Sequence, residues 1–292
     1  MAFNYEEYLR MWTMPHILCP GCGDGIVMKS LIRAIHSLGL KKDEVAVVSG
    51  IGCSSRIPGY LDFNTLHGTH GRAIAFATGI KLARPDMKVI VITGDGDACA
   101  IGGNHFIHAC RRNIDITVIL FNNWTYGMTG GQLSPTTPVG AWQTTSPYGN
   151  IEPPFDICAL AEAAGASFVA RGTAYHAVPL EKMMIKAIQH KGFSLVEVIV
   201  GCHVGFGRKN ALPRGVDLLL QEKELAVDVV KAKRMTPEEL QGKVVTGILA
   251  RKDRPEYTDI YFNKVVAQAR ERLPEEHLEE EKEIRVEKTI LD

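Results

Sequence analysis

The sequence predicts an α/β fold, with a mostly parallel β-sheet flanked by helices. Between about residues 22 and 210, helical stretches such as GIVMKSLIRAIHSLG alternate with short β-branched runs such as DEVAVVSG and MKVIVITG. That alternation is typical of a parallel sheet wrapped by helices. The chain has 292 residues, of which 46% are hydrophobic. This is enough for one large globular domain with extensions.

Charge and hydropathy exclude several classes of function. Lys and Arg number 33, as do Asp and Glu, so no overall field attracts nucleic acid or an anionic membrane. No apolar run approaches the roughly 20 residues of a membrane-spanning helix. The N-terminal segment MAFNYEEYLRMWTM lacks the basic region and apolar core of a secretory signal. We therefore expect a cytoplasmic protein with no nucleic-acid or membrane partner.

Three regions of the chain differ in composition. Residues 1–18 form an aromatic-rich N-terminal arm, residues 19–210 the main domain, and residues 211–292 a C-terminal extension. The extension has charged helical patterns around MTPEELQGK and YFNKVVAQARERL, and it ends in the charge run EEHLEEEKEIRVEK. We expect the arm and the extension to contact another subunit, or to cover the domain's own core.

Four predicted strands lead directly into segments that are rich in chemically active residues. VVSG leads into IGCSSR, VITG into DGDACAIGG, ILFNN into WTYGMTGGQ, and EVIVG into CHVGFGR. In open parallel sheets, ligands bind outside the carboxyl ends of the strands. The four segments are therefore expected to gather on one face of the sheet.

The motif Gly-Asp-Gly-Asp at residues 94–97 follows the strand KVIVIT, and Asn-Asn ends the next strand, DITVILF. Glycine lets the backbone approach phosphate oxygens, and carboxylate and amide oxygens suit Mg²⁺. Asp95 and Asn123 end consecutive strands, so we expect them to lie close together. A Gly-Asp-Gly turn alone is common in proteins. Its combination with an Asn-Asn at the end of the next strand is much more specific. We also expect the helix beginning at Gly102-Gly103 to hold a diphosphate at its N-terminus.

Seven cysteines in a chain of this kind favour thiolate chemistry over a disulfide scaffold. Cys19 and Cys22 form a C-x-x-C turn, which suits zinc, a redox dithiol or half of an iron–sulfur site. Cys53 and Cys202 each follow a predicted strand, so four sulfurs are expected to converge. The scattered spacing favours a buried cluster over zinc, although the C-x-x-C pair alone does not decide. The remaining cysteines lie in apolar helical contexts and are expected in the core: Cys99, Cys110 and Cys158.

Six segments, in family order, resemble the β subunits of the 2-oxoacid:ferredoxin oxidoreductases, which depend on thiamine diphosphate. They are HILCPGCGDGI, VVSGIGCSSRIPGY, LHGTHGRAIAFATGIKLA, VITGDGDACAIGGNH, LFNNWTYGMTGGQLSPTTP and EVIVGCH. The similarity extends from about residue 12 to about residue 215. Within the family, the chain most resembles the branch that uses 2-oxoglutarate.

The resemblance implies a thiamine diphosphate-binding domain and a role for each matching residue. One [4Fe–4S] cluster would be bound by Cys19, Cys22, Cys53 and Cys202. Mg²⁺ on the diphosphate would be held by Asp95, Asn123 and the main-chain carbonyl of Thr125. Further cofactor-lining residues would be Gly94, Gly96, Asp97, Gly127, Thr129 with the loop that follows it to residue 132, and the turn His70, Gly71 and Arg72.

The resemblance also implies a reaction and its partners. The reaction is the oxidative decarboxylation of 2-oxoglutarate with coenzyme A to succinyl-CoA and CO₂, with electrons passing through the cluster to ferredoxin, and it is reversible. A longer α subunit would complete the cofactor site in an αβ pair or its dimer. Specificity for pyruvate or for a broader range of 2-oxoacids is an alternative, as is a non-redox thiamine-dependent decarboxylase or carboligase. In a third alternative, the chain is a zinc- or cluster-binding assembly protein and its Gly-Asp-Gly is incidental.

Three further residues are candidates for contact with substrate or cluster. Arg56 stands three positions beyond Cys53, and its guanidinium suits the distal carboxylate of 2-oxoglutarate; alternatively, it pairs with cluster sulfur or with a neighbouring acid. His70 is a candidate catalytic residue, or else an ordinary loop histidine. His203 follows Cys202 and suits a hydrogen bond to a cluster sulfur.

Overall fold

An eight-stranded sheet runs through the protein. The computed structural model describes residues 3–272. Its strands are β1 (Val45–Ser49), β2 (Asn64–His67), β3 (Lys88–Gly94), β4 (Thr117–Asn122), β5 (Phe168–Thr173), β6 (Ser194–Ile199), β7 (Ala226–Asp228) and β8 (Val244–Arg251). Their order in the sheet is β2-β1-β3-β4-β6-β5-β8-β7. The first six strands pair in parallel, and β8 is antiparallel to β5. The predicted fold class is confirmed.

Helices cover both faces of the sheet. They are α1 (Asp24–Ser37), α2 (Ala73–Ala83), α3 (Gly103–Arg112), α4 (Ile157–Ala164), α5 (Ala177–Gln189), α6 (Gly215–Leu225), α7 (Val229–Ala232), α8 (Pro237–Leu240), α9 (Tyr257–Ile260) and α10 (Ala267–Glu271). Short 3₁₀ helices are Glu6–Tyr8, Met11–Thr13, Lys42–Glu44, Ser54–Tyr60 and Gly207–Lys209, and π-helical turns are Gly96–Ile101 and Tyr261–Val266. In residues 3–272, no helix is both long and apolar enough to cross a bilayer.

The two faces of the sheet bury separate apolar cores. Helices α1 and α5 cover one face, and α2, α3 and α4 cover the other. Val27, Leu31 and Ile35 are spaced four apart on α1 and are fully or almost fully buried, which is the stripe expected of an amphipathic helix. Truncating one such side chain to alanine typically costs about 2–5 kcal/mol. These cores hold the carboxyl ends of the strands rigidly in place.

The strands β1, β3, β4 and β6 coincide with the four predicted apolar runs. The region predicted as a helical C-terminal extension also contributes β7 and β8 to the sheet. Edge strand β2 has the sequence NTLH and is partly exposed, so it lacks the apolar run that marks a buried strand. The charge run at the end of the chain lies outside the described residues.

The N-terminal arm packs onto its own domain. Phe3 and Tyr8 contact the ring of His36 on α1, and Tyr8 Oη lies 2.6 Å from His36 Nδ1. Some apolar side chains of the arm stay exposed, including Trp12 and Ile17. The arm therefore covers the core and also offers an apolar surface.

Strand β3 passes directly into a helix at the Gly-Asp-Gly turn. Asp95 already has helical dihedral angles, with φ −57° and ψ −48°. The helical segment therefore begins at Gly96. The sequence prediction, which placed its start at Gly102-Gly103, was about six residues too late. At Gly102, where the wide π-turn narrows into α3, a Cβ would lie 2.7 Å from the Asp97 carbonyl oxygen and 2.9 Å from that of Gly71. This crowding explains the glycine.

Candidate active site

The four predicted cysteine ligands line one cavity at the carboxyl ends of the strands, with a volume of about 200 Å³. We call it the cysteine cavity, defined by Cys19, Cys22, Cys53 and Cys202. Cys19 is exposed on its turn, and the other three are partly buried. The rest of the wall combines apolar side chains, including Leu18, Met128 and Val204, with the polar side chains of Asp24, Asn123 and His203.

Close glycine packing shapes the wall around Cys202. The Gly205 N–H donates to Cys202 Sγ at 3.3 Å. A Cβ at Gly127 would lie 3.1 Å from the same sulfur, and one at Gly205 would lie 3.3 Å from it. Backbone therefore approaches the sulfur where side chains would crowd it. A set of four sulfurs with apolar surroundings and a backbone N–H donor fits an iron–sulfur cluster.

Burial raises the pKa of three of these four thiols, Cys22, Cys53 and Cys202. Desolvation raises the pKa of Cys53 to about 12, and the nearby Asp24 carboxylate adds to the effect. Desolvation likewise raises the pKa of Cys22 and of Cys202. Because only thiolates are good metal ligands, binding must displace these protons with positive charge.

Three oxygens converge next to the cysteine cavity. The side-chain oxygen of Asn123 faces two other acceptors, at 2.6 Å from the Thr125 carbonyl oxygen and 3.2 Å from Asp95 Oδ1. Magnesium binds octahedrally at 2.0–2.1 Å, which sets neighbouring ligand oxygens roughly 2.9 Å apart. Three acceptors this close repel one another unless a cation lies between them or the Asn123 amide rotates. The donor set therefore fits Mg²⁺.

Two hydroxyl groups orient the carboxylate of Asp95. Ser134 Oγ and Thr136 Oγ1 both donate to Asp95 Oδ2 at 2.6 Å, which leaves Oδ1 to face Asn123. Burial raises the pKa of Asp95 to about 6. Sequence reasoning missed both hydroxyls, although they lie in the segment LSPTTP directly after the Thr129 loop. The sequence signal that could have identified them is their position only a few residues after the Thr129 loop, which was already predicted to line the cofactor.

Asp97 connects three loops. Its carboxylate accepts hydrogen bonds from the Gly71 N–H and from Thr93 Oγ1, both at 2.7 Å, and from His70 Nδ1. A Cβ on Gly50 would lie 2.2 Å from this carboxylate, so the backbone after β1 also presses against it. Asp97 thus fixes the orientation of the His70 ring.

A second cavity, here called the cofactor cavity, collects most of the other predicted residues. It is lined by His70, Gly94, Asp95, Gly96, Asp97, Asn123, Thr125, Gly127 and Thr129. Gly71 does not line this cavity, but its N–H donates a hydrogen bond to Asp97, which does. Arg72 is exposed, and its guanidinium donates to the carbonyl oxygens of Gly71 and Ile101. Arg56 is exposed and lines neither cavity. The two cavities share Cys53, Asn123 and Met128.

The three remaining cysteines are buried, as expected of core residues. Cys99, Cys110 and Cys158 are 5%, 0% and 3% exposed, and burial raises the pKa of each thiol.

Comparison with known proteins agrees with this geometry. Residues 50–198 match the thiamine pyrophosphate enzyme C-terminal, TPP-binding domain, which defines the class of protein. The chain is 54% identical to the 2-oxoglutarate synthase subunit KorB of Methanocaldococcus jannaschii, covering 87% of this chain and 94% of that protein. It is 63% identical to the subunit of the same name from Archaeoglobus fulgidus, covering 69% of this chain and 75% of that protein. This chain belongs to the KorB family of 2-oxoglutarate synthase subunits.

A solved structure of a related enzyme has the same fold as this chain. The 2-oxoglutarate:ferredoxin oxidoreductase from Magnetococcus marinus, with 2-oxoglutarate, coenzyme A and succinyl-CoA bound, matches with a TM-score of 0.79 and 32% identity. The match covers 93% of this chain and 91% of that chain. The family inferred from the sequence motifs is therefore confirmed.

Proposed function

We propose that this chain is the β subunit of a 2-oxoglutarate:ferredoxin oxidoreductase and carries both a thiamine diphosphate site and one [4Fe–4S] cluster. The observation that supports this most is the shared wall of the two cavities, formed by Cys53, Asn123 and Met128. An iron–sulfur cluster next to a thiamine cofactor can accept electrons from it one at a time. A non-redox decarboxylase does not need such an electron acceptor.

The oxygen ligands would hold Mg²⁺, and the helical N-terminus at Gly96 would face the diphosphate. Thiamine diphosphate supplies the carbanion chemistry of decarboxylation. The protein's part is to orient and anchor it. Asp95, Asn123 and the Thr125 carbonyl would bind the metal, while His70, oriented by Asp97, lines the cofactor cavity.

Cys19, Cys22, Cys53 and Cys202 would ligate the cluster. Cys53 lies on the wall that faces both cavities, and Cys19 lies at the exposed rim. This arrangement would lead electrons from the cofactor side toward the surface, where ferredoxin takes them.

A larger α subunit would complete the site. Two apolar side chains that line the cofactor cavity remain exposed, namely Ile51 and Met128, which are 38% and 46% exposed. Exposed apolar groups concentrated around a polar cavity are typical of a subunit interface. The α subunit would cover this face and exclude water from the reaction.

Activity with a panel of acids tests the proposal. The full chain, produced anaerobically with its α subunit, is expected to reduce ferredoxin or a viologen in a coenzyme A-dependent reaction. We expect 2-oxoglutarate to be the best substrate, ahead of pyruvate and 2-oxobutyrate. CO₂ release without reduction of an acceptor would favour the non-redox decarboxylase, and a preference for pyruvate would favour the alternative specificity.

Arg56→Met tests the predicted contact between Arg56 and the substrate carboxylate, a contact that the structure does not itself show because Arg56 is exposed and lines neither cavity. A charge-assisted hydrogen bond to a carboxylate contributes about 1.5–3 kcal/mol, which corresponds to a factor of roughly ten or more in kcat/KM. We therefore expect kcat/KM for 2-oxoglutarate to fall at least about tenfold. The value for 2-oxobutyrate, which has no distal carboxylate, should stay unchanged. Arg33→Met removes an exposed arginine paired with Glu181 and is the matched control. Equal losses on both acids would remove Arg56 from specificity.

A further inference from the structure

The two candidate metal ligands on the loop after β4 flank a residue with unfavourable backbone geometry. Trp124 has φ of +60°, in the left-handed region that non-glycine residues rarely adopt. Its two neighbours are Asn123 and Thr125, so the turn at Trp124 directs the Asn123 side chain and the Thr125 carbonyl toward the same point. The position of the metal ligands therefore depends on what holds this turn.

Asn122, the last residue of β4, holds the turn from inside the sheet. Its Oδ1 accepts the Trp124 N–H at 3.3 Å, and its Nδ2 donates to Glu197 Oε1 at 2.7 Å. Asn122 is 4% exposed and Glu197 is 2% exposed. A carboxylate can only accept, so Glu197 decides which end of the Asn122 amide points at it. The oxygen is thereby left for Trp124.

An ion pair secures Glu197 in turn. Arg171 on β5 donates from Nε to Glu197 Oε2 at 2.6 Å and also pairs with Asp156. Cys158 Sγ lies 3.1 Å from the same Glu197 oxygen. Asp156, Cys158 and Glu197 lie close enough to hold a metal ion, but the Arg171 guanidinium already supplies the cation there. This network is a support and not a second metal site.

We infer that Asn122, oriented by Glu197, is a positioning residue for the magnesium ligands, an inference that rests on the proposed function of the cofactor cavity. Asn122 does not contact the metal. It acts on the left-handed turn that places Asn123 and the Thr125 carbonyl, and the buried Glu197–Arg171 pair gives it a single orientation.

The test is the affinity for the metal itself. In the complex of this chain with its α subunit, purified anaerobically and supplied with saturating thiamine diphosphate, Mn²⁺ is titrated in place of Mg²⁺ and followed by electron paramagnetic resonance. Loss of a direct partner of a metal ligand typically weakens binding about 10–100-fold. Because the Asn122 side chain acts through the Trp124 turn and does not touch a ligand, Asn122→Ala is expected to raise the Mn²⁺ Kd by about tenfold, the lower end of that range. Glu197→Gln keeps an acceptor for Asn122 but loses the charge, so a smaller rise is expected.

Thr117→Val is the matched control. It removes a buried hydrogen bond, from Thr117 Oγ1 to the Ala187 carbonyl at 3.3 Å, at the other end of the same strand. It is expected to lower the melting temperature without changing the Mn²⁺ Kd. If Asn122→Ala and Glu197→Gln lower the melting temperature but leave the Kd at the wild-type value, the inference is overturned. If wild-type protein binds no Mn²⁺ with thiamine diphosphate, the proposed function fails instead.

Discussion

The cysteine cavity and the oxygen ligands of the cofactor cavity are adjacent, yet the protein holds them differently. The carboxylate of Asp95 is fixed by Ser134 and Thr136, so the orientation of this one ligand does not depend on a cation. The cysteine cavity has apolar walls and buried thiols of raised pKa, and one of its ligands, Cys19, sits on an exposed turn. We therefore expect its final form to depend on the cluster that is proposed to bind there.

This difference predicts that a substitution at one site abolishes ligand binding there without affecting ligand binding at the other site. Cys202→Ser should reduce bound iron from about four atoms per chain, the content of one cubane cluster, to almost none, because a serine hydroxyl does not replace a buried thiolate. Iron and sulfide analysis of anaerobically purified protein measures this. Binding of thiamine diphosphate with Mg²⁺ should persist. Cys110→Ala removes a buried core thiol and should keep its iron; iron retained in Cys202→Ser would remove this residue from the ligand set.

Asp95→Ala is the converse experiment. It removes the carboxylate of the metal site, so we expect no measurable Mg²⁺-dependent binding of thiamine diphosphate by calorimetry. Iron content should stay at the wild-type value, since Asp95 lines the cofactor cavity and not the cysteine cavity. A joint loss of iron and of cofactor binding would mean that the two sites form one cooperative unit.

Removing the supports of Asp95 should have a graded effect. The double substitution Ser134→Ala with Thr136→Val leaves the ligand but frees its orientation, and we expect about tenfold weaker Mg²⁺ binding by calorimetry. As the control, Thr145→Val removes a nearby hydroxyl that accepts the Leu133 N–H at 2.9 Å, and it should bind Mg²⁺ normally. Unchanged affinity in the double variant would show that the oxygen site does not depend on this anchoring.

The smallest expected effect concerns a buried carboxylate behind Cys202. Glu222 Oε1 accepts the Gly201 N–H at 3.0 Å, and Oε2 accepts the Tyr175 N–H at 2.9 Å. Burial raises the pKa of Glu222 from 4.5 to about 7. The folded state therefore binds this proton more tightly than the unfolded state, and the stabilisation is lost as pH rises through about 7.

Between about pH 6 and pH 8, the free energy of unfolding should fall by about 1 kcal/mol through this group, because one pKa unit corresponds to about 1.4 kcal/mol. Urea unfolding at the two pH values measures it. Glu222→Gln cannot titrate, so its stability should lack this part of the pH dependence. The same fall in both proteins would assign the effect to another group.

Much of the site was readable from the sequence because its ligands follow strands. Parallel strands end at one edge of the sheet, so Asp95, Asn123, Cys53 and Cys202 had to meet once those strands were recognised. Ser134, Thr136 and Glu222 were not predicted, since they reach the site from a loop and a helix with no periodic signal. Strand β8 was also missed, because only its antiparallel pairing with β5 makes it part of the sheet.

By itself, the amino-acid sequence determined the family and the parallel sheet and named the candidate ligand residues, because these depend on periodicity and on residue type at short range. Tertiary structure alone decided where the helix after β3 begins, which hydroxyls orient Asp95, and how Glu197 directs Asn122. These features join atoms that are far apart in the chain. Their geometry is set by packing across the sheet, which no local pattern records.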